Sequence, residues 1–199
     1  MSVIEFIILS FALSFEAMIV MHGCAEQNRI KLTKGLGEAV CISVINALLI
    51  LCGMWLGNLL RFTPDTIDPL ADSTNSLLAD TDNLVYLGLM ILVALRLLFR
   101  SGKKSRKVQP YDISRFSTAL LLGVAVGVNT LIVGLALGFR IPVSENLWRA
   151  AIPLAVIMTL MAFFGIMLGR QKKELRARRY TLIAVLFLLA FALKGAFWS

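Results

Sequence analysis

Charge is scarce in this chain. Asp, Glu, Lys and Arg together make up 16% of its 199 residues, far less than a water-soluble domain of that length uses to cover its surface. There is one histidine, His22, and there are three cysteines, Cys24, Cys41 and Cys52, with no Cys-x-x-Cys pair. That argues against a disulfide framework or a zinc ribbon. Cys41 and Cys52 stand about three helical turns apart on one face and read as small apolar packing residues. The chain has no nucleotide-binding motif, which argues against direct ATP-driven pumping. It shows no hydrolase or redox constellation, which ranks an intramembrane enzyme last. The first apolar stretch follows no basic region and precedes no Ala-x-Ala-like site, so it reads as a retained helix and not as a secretory signal.

What the chain has instead is hydrocarbon: 58% of residues are hydrophobic and the mean hydropathy is +0.82. A helix crosses the bilayer core with about 20 apolar residues. Apolar segments fall at about 3–21, 39–60, 84–99, 116–139, 147–169 and 180–198. The expectation is an all-α polytopic membrane protein with six transmembrane helices, a single integral domain over residues 1–199 in contact with the lipid bilayer.

The connections between these segments carry the charge. Arg29, Lys31 and Lys34 follow the first helix, Arg100, Lys103, Lys104, Arg106, Lys107 and Arg115 the third, and Arg170, Lys172, Lys173, Arg176, Arg178 and Arg179 the fifth. These are fifteen of the twenty basic residues. The opposite connections hold Arg61, Arg140 and Arg149. The positive-inside rule then puts the basic loops in the cytoplasm and both termini outside. A net charge of +8 split among short loops flanking spans is a topology signal and not a nucleic-acid footprint. The external stretch 61–82 is acidic, with Asp65, Asp68, Asp72, Asp80 and Asp82 beside Pro64 and Pro69, and reads as a solvated loop able to attract cations.

Laying the second half on the first reveals a repeat. Residues 12–20 (ALSFEAMIV) align with 125–133 (AVGVNTLIV), and 53–57 (GMWLG) with 165–169 (GIMLG), at offsets of 113 and 112. Later, 94–99 (ALRLLF) resembles 192–197 (ALKGAF) at an offset of 98, the second half lacking the acidic stretch. Two three-helix repeats, about 1–100 and about 116–199, joined by the basic loop 100–115, must be inverted in the membrane. Inverted repeats build many transporters, whose sites lie near the midplane where the repeats meet.

Glu16 is the residue to which this pattern points. A carboxylate inside an apolar span costs about 2.5–3.5 kcal/mol on insertion scales, so it faces protein interior or a water-filled path. Its repeat counterpart is Asn129, and the two are expected to face each other about a pseudo-two-fold axis. Small residues share their faces, Ala12 and Gly23 around Glu16, Ala125 and Ala136 around Asn129. Asn46 adds a third intramembrane polar group, and Ser14, Ser43, Thr130 and Thr159 add hydroxyls. Carboxylate and amide oxygens suit a divalent cation such as Mn2+ or Mg2+. The plainer reading is a Glu–Asn hydrogen bond that merely joins helices. The pairs Gly53/Gly57, Gly123/Gly127, Gly134/Gly138 and Gly165/Gly169 signify tight helix packing. His22, Met18, Met21 and Cys24 read as packing residues before a soft-metal cluster. Arg96 and Lys194, near span ends, read as snorkelling cations before counter-ions.

These residues resemble the manganese efflux pumps of the MntP type, six-helix proteins within the wider LysE-like exporter group, over almost the whole chain. The resemblance rests on Ala-Leu-Ser-Phe-Glu-Ala at 12–17, where the family typically has Ser-Met-Asp-Ala. It also rests on Asn-Thr-Leu-Ile-Val-Gly at 129–134, where the family has Asp-Ala-x-Ala-Val-Gly, and on the patch ending in Gly169-Arg170. Asn46 falls where the family tends to have Gln or Glu. The resemblance implies export of Mn2+ or a related divalent cation across a bacterial inner membrane, with Glu16 and Asn129 as metal-contacting residues, Asn46 as a further ion contact, and no resident cofactor. Here Glu16 is longer than the family's first acid and Asn129 is neutral, so one carboxylate stands in place of two. A neutral Asn129 also suits an exporter of a small organic solute such as an amino acid, and a non-transporting membrane scaffold is the reading of another class. If export is proton-coupled, Glu16 is the candidate proton carrier.

Overall fold

The computed structural model describes residues 3–27, 32–61, 72–102, 116–140, 143–171 and 177–197. These form six α-helices: α1 Val3–Gln27, α2 Leu32–Leu59, α3 Asp72–Gly102, α4 Phe116–Arg140, α5 Val143–Arg170 and α6 Ala177–Phe197. Among the described residues, five helices, α1 to α5, are long and apolar enough to cross a membrane. Five such helices in one chain are the architecture of a multi-pass membrane protein. The outward faces are themselves apolar. On α2 the exposed stripe is Val40, Val44, Leu48, Trp55 and Leu59, and on α5 it is Ile152, Val156, Leu160, Phe164 and Met167. Stripes of this length suit lipid and not water.

The acidic stretch is a correction to the solvated-loop reading. Asp72 opens α3 and Asp82 lies a further ten residues along that helix, buried, with its Oδ2 3.8 Å from Arg61 Nε. Asp65 and Asp68, with Pro64 and Pro69, lie outside the described residues. So do most of the basic residues that follow the first, third and fifth helices, including Lys104 and Lys173.

Helix packing follows the glycines. A methyl group added at Gly53 would run into the backbone carbonyl of Leu131, and one at Gly57 into that of Leu135; Gly134 and Gly138 return the contact against Ile50 and Met54. Both series climb together, so α2 and α4 run parallel with their backbones touching. Gly165 and Gly169 of α5 stand in the same way on the carbonyls of Met18 and His22 of α1, which makes α1 and α5 a second parallel pair. Small residues at the crossing allow this approach, where dispersion and Cα–H···O contacts replace a hydrophobic driving force that lipid does not supply.

Around these two pairs the six helices close into a ring in the order α1, α5, α2, α4, α3, α6 and back to α1, while α1 and α4 approach each other only slightly across its middle. Among the described residues, every substantial contact joins a helix of the first three to a helix of the last three. The chain is therefore interlaced. α1 with its neighbours α5 and α6, and α4 with its neighbours α2 and α3, make two bundles, neither of them a sequential half, which meet along α2–α5 and α3–α6.

Exchanging α1 with α4, α2 with α5 and α3 with α6 leaves this neighbour pattern unchanged. The correspondence extends to single residues. Shifted by 112 or 113, the contact of Gly53 with Leu131 becomes that of Gly165 with Met18, and the contact of Gly57 with Leu135 becomes that of Gly169 with His22. The buried residues Ile42, Ile50 and Met54 map onto the buried Leu154, Ala162 and Ile166, and four residues of the exposed α2 stripe, Val40, Val44, Leu48 and Trp55, map onto exposed residues of α5.

Candidate functional site

Glu16 and Asn129 are each the fourteenth residue of a 25-residue helix. At about 1.5 Å of rise per residue they stand roughly 20 Å from the helix starts, near the level where a membrane midplane would fall. The structure brings them together: Asn129 Nδ2 donates to Glu16 Oε2 at 2.6 Å. This bond spans the gap between α1 and α4, the two helices that otherwise scarcely touch. Asn129 is 3% exposed and Glu16 is half-buried.

The amide of Asn129 is only half used. Its Nδ2 is engaged, but its Oδ1 is buried and accepts no hydrogen bond. Buried carbonyl oxygens are nearly always paired, and an unpaired one in a native structure calls for an explanation. Nδ2 is the arm of the amide that faces the carboxylate; with the amide turned, its oxygen and the carboxylate would make a donor set that a hard or borderline divalent cation takes.

Asn46 stands apart from this pair. Its Nδ2 donates to the carbonyls of Ile42, at 2.8 Å, and Gly123, at 3.4 Å, and its Oδ1 accepts from Thr130 Oγ1 at 2.9 Å. It is fully buried between α2 and α4. Ser14, Ser43 and Thr159 spend their hydroxyl hydrogens on the carbonyls of Ser10, Ala39 and Ala155, one turn back. Back-bonding of this kind is how a hydroxyl is accommodated in an apolar helix.

The remaining candidates settle into structural places. Met18 and Met21 are fully buried core residues, and Cys24 is buried against Ala119. His22 is buried with its Nδ1 4.0 Å from Glu26 Oε2, one turn along the same helix. Among the described residues, no three His, Cys, Asp or Glu side chains stand close enough to hold a metal together. Lys194 Nζ is ion-paired with Glu5 Oε1, tying α6 to the start of α1, so it is a helix tether where a snorkelling cation was expected. Arg96 is exposed on α3.

Two residues escaped the sequence reading. Thr130 is visible there only as one hydroxyl among several, and nothing in the pattern pairs it with Asn46. Glu38 is 8% exposed, close to Cys24. The apolar segment of the sequence begins at Ala39 whereas α2 begins at Leu32, so Glu38 lies in the helix but outside its apolar part.

The model of one protein family, Mntp, described as "Putative manganese efflux pump", matches residues 69–195. A protein of Alcanivorax borkumensis named "Putative manganese efflux pump MntP" is 24% identical over 196 residues, which is 96% of this chain and 95% of that one. No solved structure matches.

Proposed function

The chain belongs to the Mntp family of manganese efflux pumps, and from that premise we propose that it exports Mn2+ or a related divalent cation across a bacterial inner membrane by alternating access. The observation that carries this reading is the Glu16–Asn129 pair, with the orphaned Oδ1 of Asn129, at the junction of two helix bundles. A static bridge would be expected to satisfy the whole amide, since an unpaired buried acceptor costs stability. A cation that displaces the Glu16–Asn129 bond would take the carboxylate together with the amide oxygen.

The interlaced packing suggests which parts move. The glycine contacts and the Asn46–Thr130, Lys194–Glu5 and Arg61–Asp82 bonds all lie within one bundle or the other, whereas Glu16–Asn129 and the 3.5 Å bond from Tyr86 Oη to the Phe191 carbonyl lie between them. Rocking of α1, α5 and α6 against α4, α2 and α3 would open the site to either side without breaking a glycine contact. The repeat-like correspondence of contacts supports an inverted pair of three-helix units, with Glu16 and Asn129 at their axis.

Reconstituted vesicles test the reading directly. The expected result is saturable Mn2+ flux, and a strain lacking the protein should show selective manganese sensitivity with raised cell manganese. Unchanged tolerance to all divalent ions would favour the organic-solute exporter, which a neutral Asn129 also fits. Asn129→Asp is expected to keep transport and to lower the half-saturating Mn2+ concentration several-fold, because a second carboxylate adds charge to the site. A loss of flux in that variant would instead assign Asn129 a role that needs its amide hydrogens.

Six crossings with both termini outside is the proposed topology, from the basic residues after the first, third and fifth helices. Reporter fusions at Ser199 and Lys104 should report opposite sides. Finding both on one side would remove the inverted arrangement and the central axis with it.

A further inference from the structure

Asn46 grips α4 at two points on either side of the turn that leads to Asn129. It donates to the Gly123 carbonyl and accepts from the hydroxyl of Thr130, the residue that follows Asn129. The same face of α4 packs closely on α2: a methyl at Gly127 would run into Leu49 Cδ1 and come within 3.2 Å of Asn46 Oδ1, and one at Gly123 would come within 2.8 Å of Ile45 Cδ1. Positions 123, 127 and 130 thus form one stripe of α4 facing α2, and Asn129 lies on the adjoining stripe facing Glu16.

We propose that Thr130 and Asn46 are positioning residues for the ion site: together they fix the rotation of α4 on α2, and with it the place of the Asn129 amide opposite Glu16. This rests on the reading of Glu16 and Asn129 as the ion site. Asn46 is then not an ion ligand, because both ends of its amide are committed within the α2–α4 interface. The device is one-sided. At offsets of 112 and 113, Asn46 and Thr130 correspond to Met158 and Ala17, which are fully buried and carry no hydrogen-bonding group to match. Asn129 is thus the member of the pair whose helix is held in rotation by this device.

The test is Mn2+ flux against concentration in vesicles holding equal amounts of folded wild type, Thr130→Val, Thr130→Ser, Asn46→Leu and the Asn46→Leu/Thr130→Val double variant. Thr130→Val keeps the side-chain shape and removes the hydroxyl. It is expected to raise the half-saturating concentration about tenfold, the lower end of what losing a residue that orients a metal ligand costs, with the maximal rate per folded molecule nearly unchanged. Thr130→Ser should restore wild-type half-saturation. The double variant should be no worse than the poorer single one, because both remove the same bond. A purely structural role would lower the folded yield or the maximal rate at unchanged half-saturation, and that result overturns the proposal, as does a Thr130→Ser variant no better than Thr130→Val. If folded wild type carries no Mn2+ at all, the transport reading itself falls, and this proposal falls with it.

Discussion

Glu16→Gln is expected to abolish Mn2+ flux while leaving the protein inserted and folded. Glutamine keeps the length of the side chain, and its Oε1 can still accept from Asn129 Nδ2 in place of the carboxylate oxygen that does so now. What is lost is the negative charge. Two unit charges 4 Å apart at an effective dielectric of about 20 interact by about 4 kcal/mol, and a divalent ion doubles the charge on one side. About 4 kcal/mol is already close to a thousandfold in affinity. Asn129 contributes no formal charge, so nothing in the pair compensates for the loss, unlike a site with two acids. Thermal stability is expected to stay near that of wild type, because the inter-bundle hydrogen bond persists in neutral form. Flux at the wild-type rate in Glu16→Gln would make the carboxylate a structural bridge and end the transport reading of this residue.

The contrast between this site and its surroundings explains what the sequence disclosed. A carboxylate in a run of apolar residues is legible because burying it is costly, and Asn129 became legible through the 113-residue offset that pairs it with Glu16. The six helices were readable for the same reason, with ends that moved outwards wherever polar residues continue a helix past its apolar part, as at Asp72 on α3 and Leu32 on α2. Partner choice was not readable. In a soluble protein the apolar stripe marks the buried face, but here Val44 and Leu48 on the outside of α2 are as apolar as Ile42 and Ile50 on the inside. The glycines told where contacts are close without telling which helix receives them. The interlacing of the two halves therefore emerges only in the structure, where every substantial contact among the described residues joins a helix of the first three to a helix of the last three. The partners of Asn46 were not readable for a related reason. An intramembrane amide is conspicuous, but whether it faces an ion or a neighbouring hydroxyl depends on helix rotation, and here it faces Thr130.

Gly57→Val is expected to be the most destabilising of the simple packing substitutions, and its cost should be structural. The new Cβ would press on the Leu135 carbonyl and stand 2.9 Å from the Cα of Gly138. Both are backbone atoms, so no side-chain rotation relieves the clash and α2 must move away from α4. Overpacking of this kind costs about 1–3 kcal/mol where side chains can yield, and the upper end or more is expected where they cannot. For a chain of this length that is roughly 6–12 °C in melting temperature at 3 kcal/mol, together with a lower yield of folded protein. Gly169→Val should behave alike, since Gly169 stands on the His22 carbonyl in the parallel α1–α5 pair. Gly88→Ala supplies the control: nothing lies within 4 Å of a methyl there, and removing a glycine from a helix interior is expected to be neutral or to stabilise by about 0.5–1 kcal/mol. Equal melting temperatures for Gly57→Val and Gly88→Ala would mean that α2 and α4 do not meet backbone to backbone. The ring of helices, and the seat it gives Asn129 opposite Glu16, would then have to be redrawn.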